Sequence, residues 1–286
     1  MTYDPFQSFH WKLAHGRSLE LGPWGVLMSI VNVTPDSFSD GGRLMDVESA
    51  VAAALHAIEQ GAAIIDIGGE STRPDATPIS AEEEQARILP VIERLAVRAD
   101  ALISVDTYRA ETARLAVEAG AHIVNDVHGL QREPAIAQIA ARTGAGLCIM
   151  HTGRDRQKLA DVIEDQIQFL QRSLDIAADA GVGRDQIVLD PGFGFAKDTA
   201  ENFEIMARFG ELHRFAAPLL VGTSRKRFIG AATGREAQER DVGTAATTAL
   251  LRAAGAAIFR VHDVAINRDA LVVADAMLAA RPADGT

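Results

Sequence analysis

Eight short apolar runs recur along this chain, each leading into a stretch of helical periodicity, and that alternation constrains the fold more than any other feature. The runs are "VLMSIVN" from Val26, "AAIIDIGG" from Ala62, "ALISVDT" from Ala101, "AHIVNDV" from Ala121, "GLCIMHT" from Gly146, "QIVLDPG" from Gln186, "PLLVGTSR" from Pro218 and "AIFRVHD" from Ala257. Between them, segments such as "DVESAVAAALHAIEQG" and "DVIEDQIQFLQRSLDIAADAG" repeat apolar residues at three- and four-residue steps, the spacing of a helix with one buried face. Gly61, Gly120 and Gly181 stand where helix C-caps belong, and Ser80 with Glu83 and Glu84 marks a capped helix start. Strands apolar along their whole length are those covered on both faces, as in a parallel sheet. Eight βα units without a break in composition predict one α/β domain, a (β/α)8 TIM barrel over residues 26–280. A short N-terminal extension, residues 1–25, is expected to close the barrel bottom.

The runs share a second property. Each ends in polar or charged residues: Asn32; Asp66 with Glu70; Asp106; Asn125 and Asp126; His151; Asp190; Ser224, Arg225 and Lys226; Arg260 and His262. Active sites of this barrel form at the C-terminal ends of the strands, so these residues and the loops after them are where function is expected. A polar residue there often only caps the next helix or ties down a loop, and Thr34, Asp46 and Thr107 suit such duty. Eight polar ends converging on one axis are a different matter, because buried charges need partners or a polar ligand.

Composition narrows the ligand. The chain has 286 residues, 48% of them hydrophobic, and a net charge of −11, which argues against nucleic acid as a partner. No apolar stretch reaches about 18 residues, and the first residues lack the core of a signal peptide, so neither membrane nor export is expected and a cytoplasmic location follows. The single cysteine, Cys148, forms no internal disulfide and reads as a small buried hydrophobe.

Asp106, Asn125 and Asp190, taken to lie on adjacent strands, offer acceptors plus an amide that donates and accepts, and Lys226 adds a donor. Such a set suits a flat heterocycle with a guanidine-like edge. Arg260 and His262, two residues apart, project to one side of their strand, and with Asn32, Ser71, Thr72 and Arg73 they make an anion-binding cluster. Asn32, Asp36 and Asp40 are hard oxygen ligands of the kind that hold Mg2+ together with phosphate. These parts suit loss of a diphosphate-like anion from a carbon on a heterocycle, with a second substrate attacking that carbon. The residues alone do not name the ring.

"VNVTPDSFSDGG" from Val31 and "GAAIIDIGGESTRP" from Gly61 resemble the two signature segments of the dihydropteroate synthase family, and "SVDT", "NDV", "LDPGFGF", "GTSRKRFIG" and "RVHDV" match it in order, from about Leu27 to about Leu278. The resemblance implies condensation of 6-hydroxymethyl-7,8-dihydropterin diphosphate with p-aminobenzoate to 7,8-dihydropteroate and diphosphate. Carried across by motif, Asp106, Asn125, Asp190 and Lys226 hold the pterin, with Met150 and Phe195 on its faces. Asn32 and Asp40 bind Mg2+; Thr72, Arg260 and His262 meet the diphosphate; Phe38, Arg73 and Pro74 build the p-aminobenzoate pocket, where sulfonamides compete. Asn32, Lys226, Arg260 and His262 are expected to carry the catalysis. The family forms homodimers through barrel helices, and the helix around residues 244–257 is a candidate face. The fifth loop, "MHTGRDRQKL", departs from the family's longer Met-Gln-Gly version.

Three other readings compete. A corrinoid-linked pterin methyltransferase shares the barrel and the Asp/Asn pocket but needs no diphosphate-binding loop. A class I aldolase would use Lys226 as a Schiff base, with Arg225 and Arg227 lowering its pKa. A non-catalytic paralogue would bind pterins without turnover.

Overall fold

The computed structural model describes residues 3–33, 47–71 and 77–280. It opens with an antiparallel hairpin, β1 (Phe9–Lys12) and β2 (Ser18–Leu21), that the apolar periodicity did not single out. Eight parallel strands follow: β3 (Val26–Asn32), β4 (Ile64–Gly68), β5 (Leu102–Asp106), β6 (Ile123–Asp126), β7 (Gly146–Met150), β8 (Ile187–Asp190), β9 (Leu220–Val221) and β10 (Ile258–Val261). Their order is β8-β7-β6-β5-β4-β3-β10-β9. A parallel bridge between Leu189 and Leu219, with the Leu189 N–H donating to the Pro218 carbonyl at 3.0 Å, joins the two ends of the sheet into a barrel. The expected eight strands are all present, although β9 is only two residues long.

Helices α1 (Val47–Gln60), α2 (Ala81–Arg98), α3 (Ala110–Glu118), α4 (Ala135–Thr143), α5 (Val162–Asp179), α6 (Thr199–Ala207), α7 (Arg227–Thr233), α8 (Asp241–Ala253) and α9 (Val264–Ala279) surround the strands. Every barrel strand is followed by a helix, and β9 is followed by two, α7 and α8. The predicted start of α2 is present, with Ser80 Oγ accepting the Glu83 N–H at 3.2 Å. Gly120 follows α3 at φ +116°, where any side chain would be strained and a Cβ would lie 2.7 Å from that of Ala96.

Strand alternation divides the side chains into two sets. Ile65, Ile67, Val105, Leu147, Ile149 and Leu189 face outward into the core shared with the helices. Met28, Ile64, Leu102, Ile123, Cys148, Val188, Leu220 and Ile258, one from each strand, face inward and pack with Trp11, Leu13 and Leu21 of the hairpin region. Trp11 is fully buried there, and its Nε1 donates to the Gln186 carbonyl at 2.8 Å, so the apolar inner layer lies against the hairpin. Two or four residues further along the same strands come Asn32, Asp66, Asp106, Asn125, Met150, Asp190, Arg260 and His262, on the same side of the sheet.

The link between the hairpin and β3 is held by a buried ion. Arg252 on α8, fully buried, pairs with Asp275 of α9 at 2.5 Å and donates to the carbonyls of Ala256 (3.1 Å), Gly22 (2.9 Å) and Pro23 (3.0 Å). Asp275 in turn accepts the Gly25 N–H at 3.1 Å. Removing one partner strands the other charge, which costs far more than an exposed pair would. Arg252→Met is therefore expected to destabilise the protein by about 3–5 kcal/mol, read as a fall in the urea midpoint. An unchanged midpoint would show that the pair does not anchor the entry to β3.

Candidate active site

The parallel ladder sets one row of residues side by side across four strands. Asn32 of β3 pairs in register with Gly68 of β4, Gly68 with Asp106 of β5, and Asp106 with Asn125 of β6. Gly68 leaves room between its neighbours: a Cβ there would lie 3.5 Å from both Asn32 Oδ1 and Asp106 Cβ. A second row pairs Met150 of β7 with Asp190 of β8.

From β10, Arg260 reaches across this floor. Its Nε donates to Asp66 Oδ2 at 2.6 Å and its Nη2 to Asp106 Oδ2 at 2.7 Å. Asn125 Nδ2 donates to the same Asp66 oxygen at 3.2 Å. Asp66 is fully buried, and its other oxygen accepts nothing from the described residues. Burial opposes the Arg260 charge, but the two carboxylates outweigh burial and hold its pKa above the ordinary value. Burial pushes the Asp106 carboxyl up to about 7; Arg260 pulls it back and Asp66 drives it up further. One guanidinium thus serves two acids, and Asp106 is the one whose charge burial disfavours.

The opposite wall is partly apolar. Met150, Phe195 and Val127 form a small buried cluster with Tyr108 packed against it. Lys226 Nζ lies 4.2 Å from the centre of the Phe195 ring, and the Arg154 guanidinium lies 4.7 Å from it. Asp190 accepts the Gly192 N–H at 2.7 Å, yet burial still raises its pKa to about 6. Burial, with Arg260 adding to it, lowers Lys226 to about 8. His262 is lowered to about 3 by burial and by Arg225 and Arg260, so its imidazole is neutral at pH 7. Ser224 Oγ accepts the His262 backbone N–H at 3.1 Å and lies 2.9 Å from Nδ1. His262 is thus a neutral imidazole tied to Ser224 through both its ring and its backbone.

Chemically, this is a pocket with carboxylate and amide acceptors on one side, a flat-faced sulfur and aromatic wall on the other, and three donors of differing charge at its edge. The chain matches the model of the pterin binding enzyme family over residues 28–262. It is 42% identical over 274 residues to dihydropteroate synthase of Escherichia coli (strain K12), an alignment covering 94% of this chain and 96% of that protein. The chain belongs to the dihydropteroate synthase family. It also superposes on a Xanthomonas albilineans dihydropteroate synthase with 4-aminobenzoic acid, with a TM-score of 0.89, 44% identity and coverage of 95% and 99% of the two chains. A structure of the enzyme from the same organism in complex with 7,8-dihydropteroate gives a TM-score of 0.86 at 41% identity, covering 95% of this chain and 100% of that one. As a member of the dihydropteroate synthase family, the protein is an enzyme, a transferase.

Nine of the residues expected at the site, Asn32, Asp106, Asn125, Met150, Asp190, Phe195, Lys226, Arg260 and His262, stand at or just beyond the C-terminal ends of the barrel strands. Phe38, Asp40, Thr72, Arg73 and Pro74 lie outside the described residues. Asp190 is not on a strand adjacent to Asn125, because β7 runs between β6 and β8. Arg225, which with Arg227 was to depress the Lys226 pKa in the aldolase reading, turns to Asp241 on α8 at 2.8 Å, and Arg260 is the principal cation acting on Lys226. Two strand-end residues bond to the segments that follow them: Asp126 accepts the N–H groups of His128 (2.8 Å) and Leu130 (2.6 Å), and His151 Nε2 lies 3.0 Å from Asp165 of α5.

Two contributors escaped the sequence reading. Asp66 was recognised only as a strand end, whereas it holds Arg260 and Asn125 together. Lys197 is buried, donates to the carbonyls of Gly192 (2.8 Å) and Phe195 (3.4 Å), and is lowered by burial to about 7. Its signal was the dense turn before it: Gly192, Gly194 and Ala196 all have positive φ, a path that points carbonyls inward and calls for a donor. Among the described residues no group of three or more His, Cys, Asp or Glu side chains could hold a metal ion. Asn32 still fits one, since its amide oxygen is a hard neutral donor beside Asp106, suited to magnesium shared with phosphate oxygens.

The raised pKa of Asp106 has a definite sign for stability. Between the ordinary carboxylate value and about 7 the folded chain binds a proton that the unfolded chain has released, so this residue's contribution falls as pH rises through that window. Asp106→Asn, which cannot ionise, is expected to gain in melting temperature relative to the parent on going from pH 4 to pH 8. A constant difference across that range would mean that Asp106 is ionised throughout.

Proposed function

We propose that the protein condenses 6-hydroxymethyl-7,8-dihydropterin diphosphate with p-aminobenzoate, giving 7,8-dihydropteroate and diphosphate. The observation that carries this reading is the convergence of Asp106, Asn125, Asp190 and Lys226 around the Met150 and Phe195 wall, with Arg260 and His262 beside it. The similarity to dihydropteroate synthases supports this reaction, and the Xanthomonas albilineans structures with 4-aminobenzoic acid and with 7,8-dihydropteroate match one proposed substrate and the proposed product.

In this reading the pterin ring slides against Met150 and Phe195. Asp190 accepts from its guanidine-like edge, Asn125 and Asp106 pair with ring nitrogens, and Lys226 donates to the ring carbonyl or a ring nitrogen. Arg260, His262 and Thr72 receive the diphosphate. Arg260 already donates to Asp66 and Asp106, so its guanidinium is held at the edge of the site where a phosphate oxygen would meet it. The bond between the ring's methylene carbon and the diphosphate oxygen breaks, its electron pair leaving with diphosphate, and the ring stabilises the resulting cation. The arylamine nitrogen then bonds to that carbon and gives up a proton. His262, neutral, assists by hydrogen bonding rather than by charge. Mg2+, held by Asn32 and Asp40 with diphosphate oxygens, would neutralise charge on the leaving group. Phe38, Arg73 and Pro74 would line the p-aminobenzoate pocket, where sulfonamides compete.

A cytoplasmic homodimer completes the proposal. Leu250 on α8 and Val273 and Met277 on α9 are exposed apolar side chains that such an interface would cover, and sedimentation of the purified protein tests it.

The decisive assay is diphosphate release from the dihydropterin diphosphate, with and without p-aminobenzoate, in Mg2+ or EDTA. Release dependent on both, with dihydropteroate formed, is the expected result; tight pterin binding without dihydropteroate would move the protein to the non-catalytic or methyltransferase readings. Asp190→Asn should raise the pterin KM about tenfold or more with a smaller effect on kcat, and Arg260→Ala should lower kcat by about a hundredfold. Normal kinetics in either variant would remove that residue from its role. Borohydride should trap nothing at Lys226; covalent capture would favour the aldolase.

A further inference from the structure

Lys226 is aimed by its predecessor. Arg225 has a φ of +57°, a conformation that side chains other than glycine adopt only when their surroundings impose it. Here the surroundings are the start of α8. The Arg225 N–H donates to Thr244 Oγ1 at 3.1 Å, and its carbonyl accepts from Arg240 Nη1 at 3.1 Å. Its guanidinium forks onto Asp241, Nε to Oδ1 and Nη2 to Oδ2, both at 2.8 Å. The backbone N–H and carbonyl of this residue and two of its guanidinium nitrogens are therefore held by residues 240–244, and the bidentate pair with Asp241 is the part with fixed direction.

The turn that results points the next side chain inward. The Lys226 N–H closes onto the Thr223 carbonyl at 3.1 Å, and the lysine stem runs so close to Gly194 that a Cβ there would stand 2.9 Å from Lys226 Cδ. Its ammonium then sits over Phe195. A positive φ at Arg225 carries a conformational cost that these contacts offset, and the close approach to Gly194 fixes where the lysine stem runs. Asp241 itself starts a helix outside the pocket, and its carboxylate bonds Arg225 rather than any residue assigned to substrate.

We propose that Asp241 is a positioning residue for Lys226, acting through its fork with Arg225 to hold the left-handed turn that sends the lysine into the pocket. The inference rests on the reading of Lys226 as a pterin ligand.

A double-mutant cycle on pterin binding tests it, using titration of the full-length protein with 6-hydroxymethyl-7,8-dihydropterin diphosphate. Asp241→Ala should weaken binding about tenfold in the parent protein and have no further effect in a Lys226→Ala background, with the KM for p-aminobenzoate unchanged. Asp241→Asn, which keeps one acceptor and the residue's shape, should show a smaller loss and guards against misfolding of the alanine variant. Equal losses in both backgrounds would mean that Asp241 acts by supporting the fold in general, and no loss in either variant would mean that the turn holds itself; both overturn the positioning role alone. If Lys226→Ala binds the pterin as the parent does, or the parent does not bind it, the functional reading falls and the positioning role with it.

Discussion

The polar residues at the ends of β4, β5 and β6 are arranged around one guanidinium. Two carboxylates projecting from neighbouring strands into a closed interior would repel each other, and each would lose hydration worth several kcal/mol. Arg260 reaches them from β10, past β3, and makes an ion pair with each. The same pairing leaves Asp66 able to orient Asn125, so an acid, an amide and a base on three strands are fixed by one contact set. Opposing forces act on Asp106, whose pKa burial and Asp66 raise and Arg260 lowers.

The scaffold was legible because its code is periodic. Alternation of buried residues, eight polar strand ends and the two-residue spacing of Arg260 and His262 follow from a parallel sheet that is covered on both faces, and a ladder carries that pattern without reference to distant residues. Asp106 and Asn125 were legible as neighbours for that reason, since sequential strands pair. What escaped was set by loops and by contacts between distant segments. Whether Asp126 faces the pocket or its own loop depends on the turn to Leu130, which has no period. Arg225 belongs to α8 through a bond to Asp241 sixteen residues on, and nothing in "GTSRKRF" announces that partner. The hairpin β1–β2 was missed because its strands alternate polar and apolar residues too briefly to stand out.

The histidines show how burial decides chemistry that residue type leaves open. His262 beside Arg225 and Arg260 is neutral, whereas the sequence suggested only that it joins an anion-binding cluster. His151 is neutral for the same reason but is turned toward Asp165 and Arg156, where it stiffens the fifth loop. Lys197 and Lys226 are both pushed toward neutrality by burial, yet one props the turn bearing Phe195 and the other lies over its ring.

The barrel is closed at one narrow seam. Strand β9 spans two residues, and its junction with β8 consists of the single bridge from Leu189 to Leu219. Asp190 ends the strand on one side of that seam, and Lys226 follows the strand on the other. A ring held by both would act as a tie across the weakest join in the hoop. In the proposed reading, a ligand that bridges Asp190 and Lys226 would brace this seam, and its binding would be read as added stability of the barrel as well as occupancy of the site.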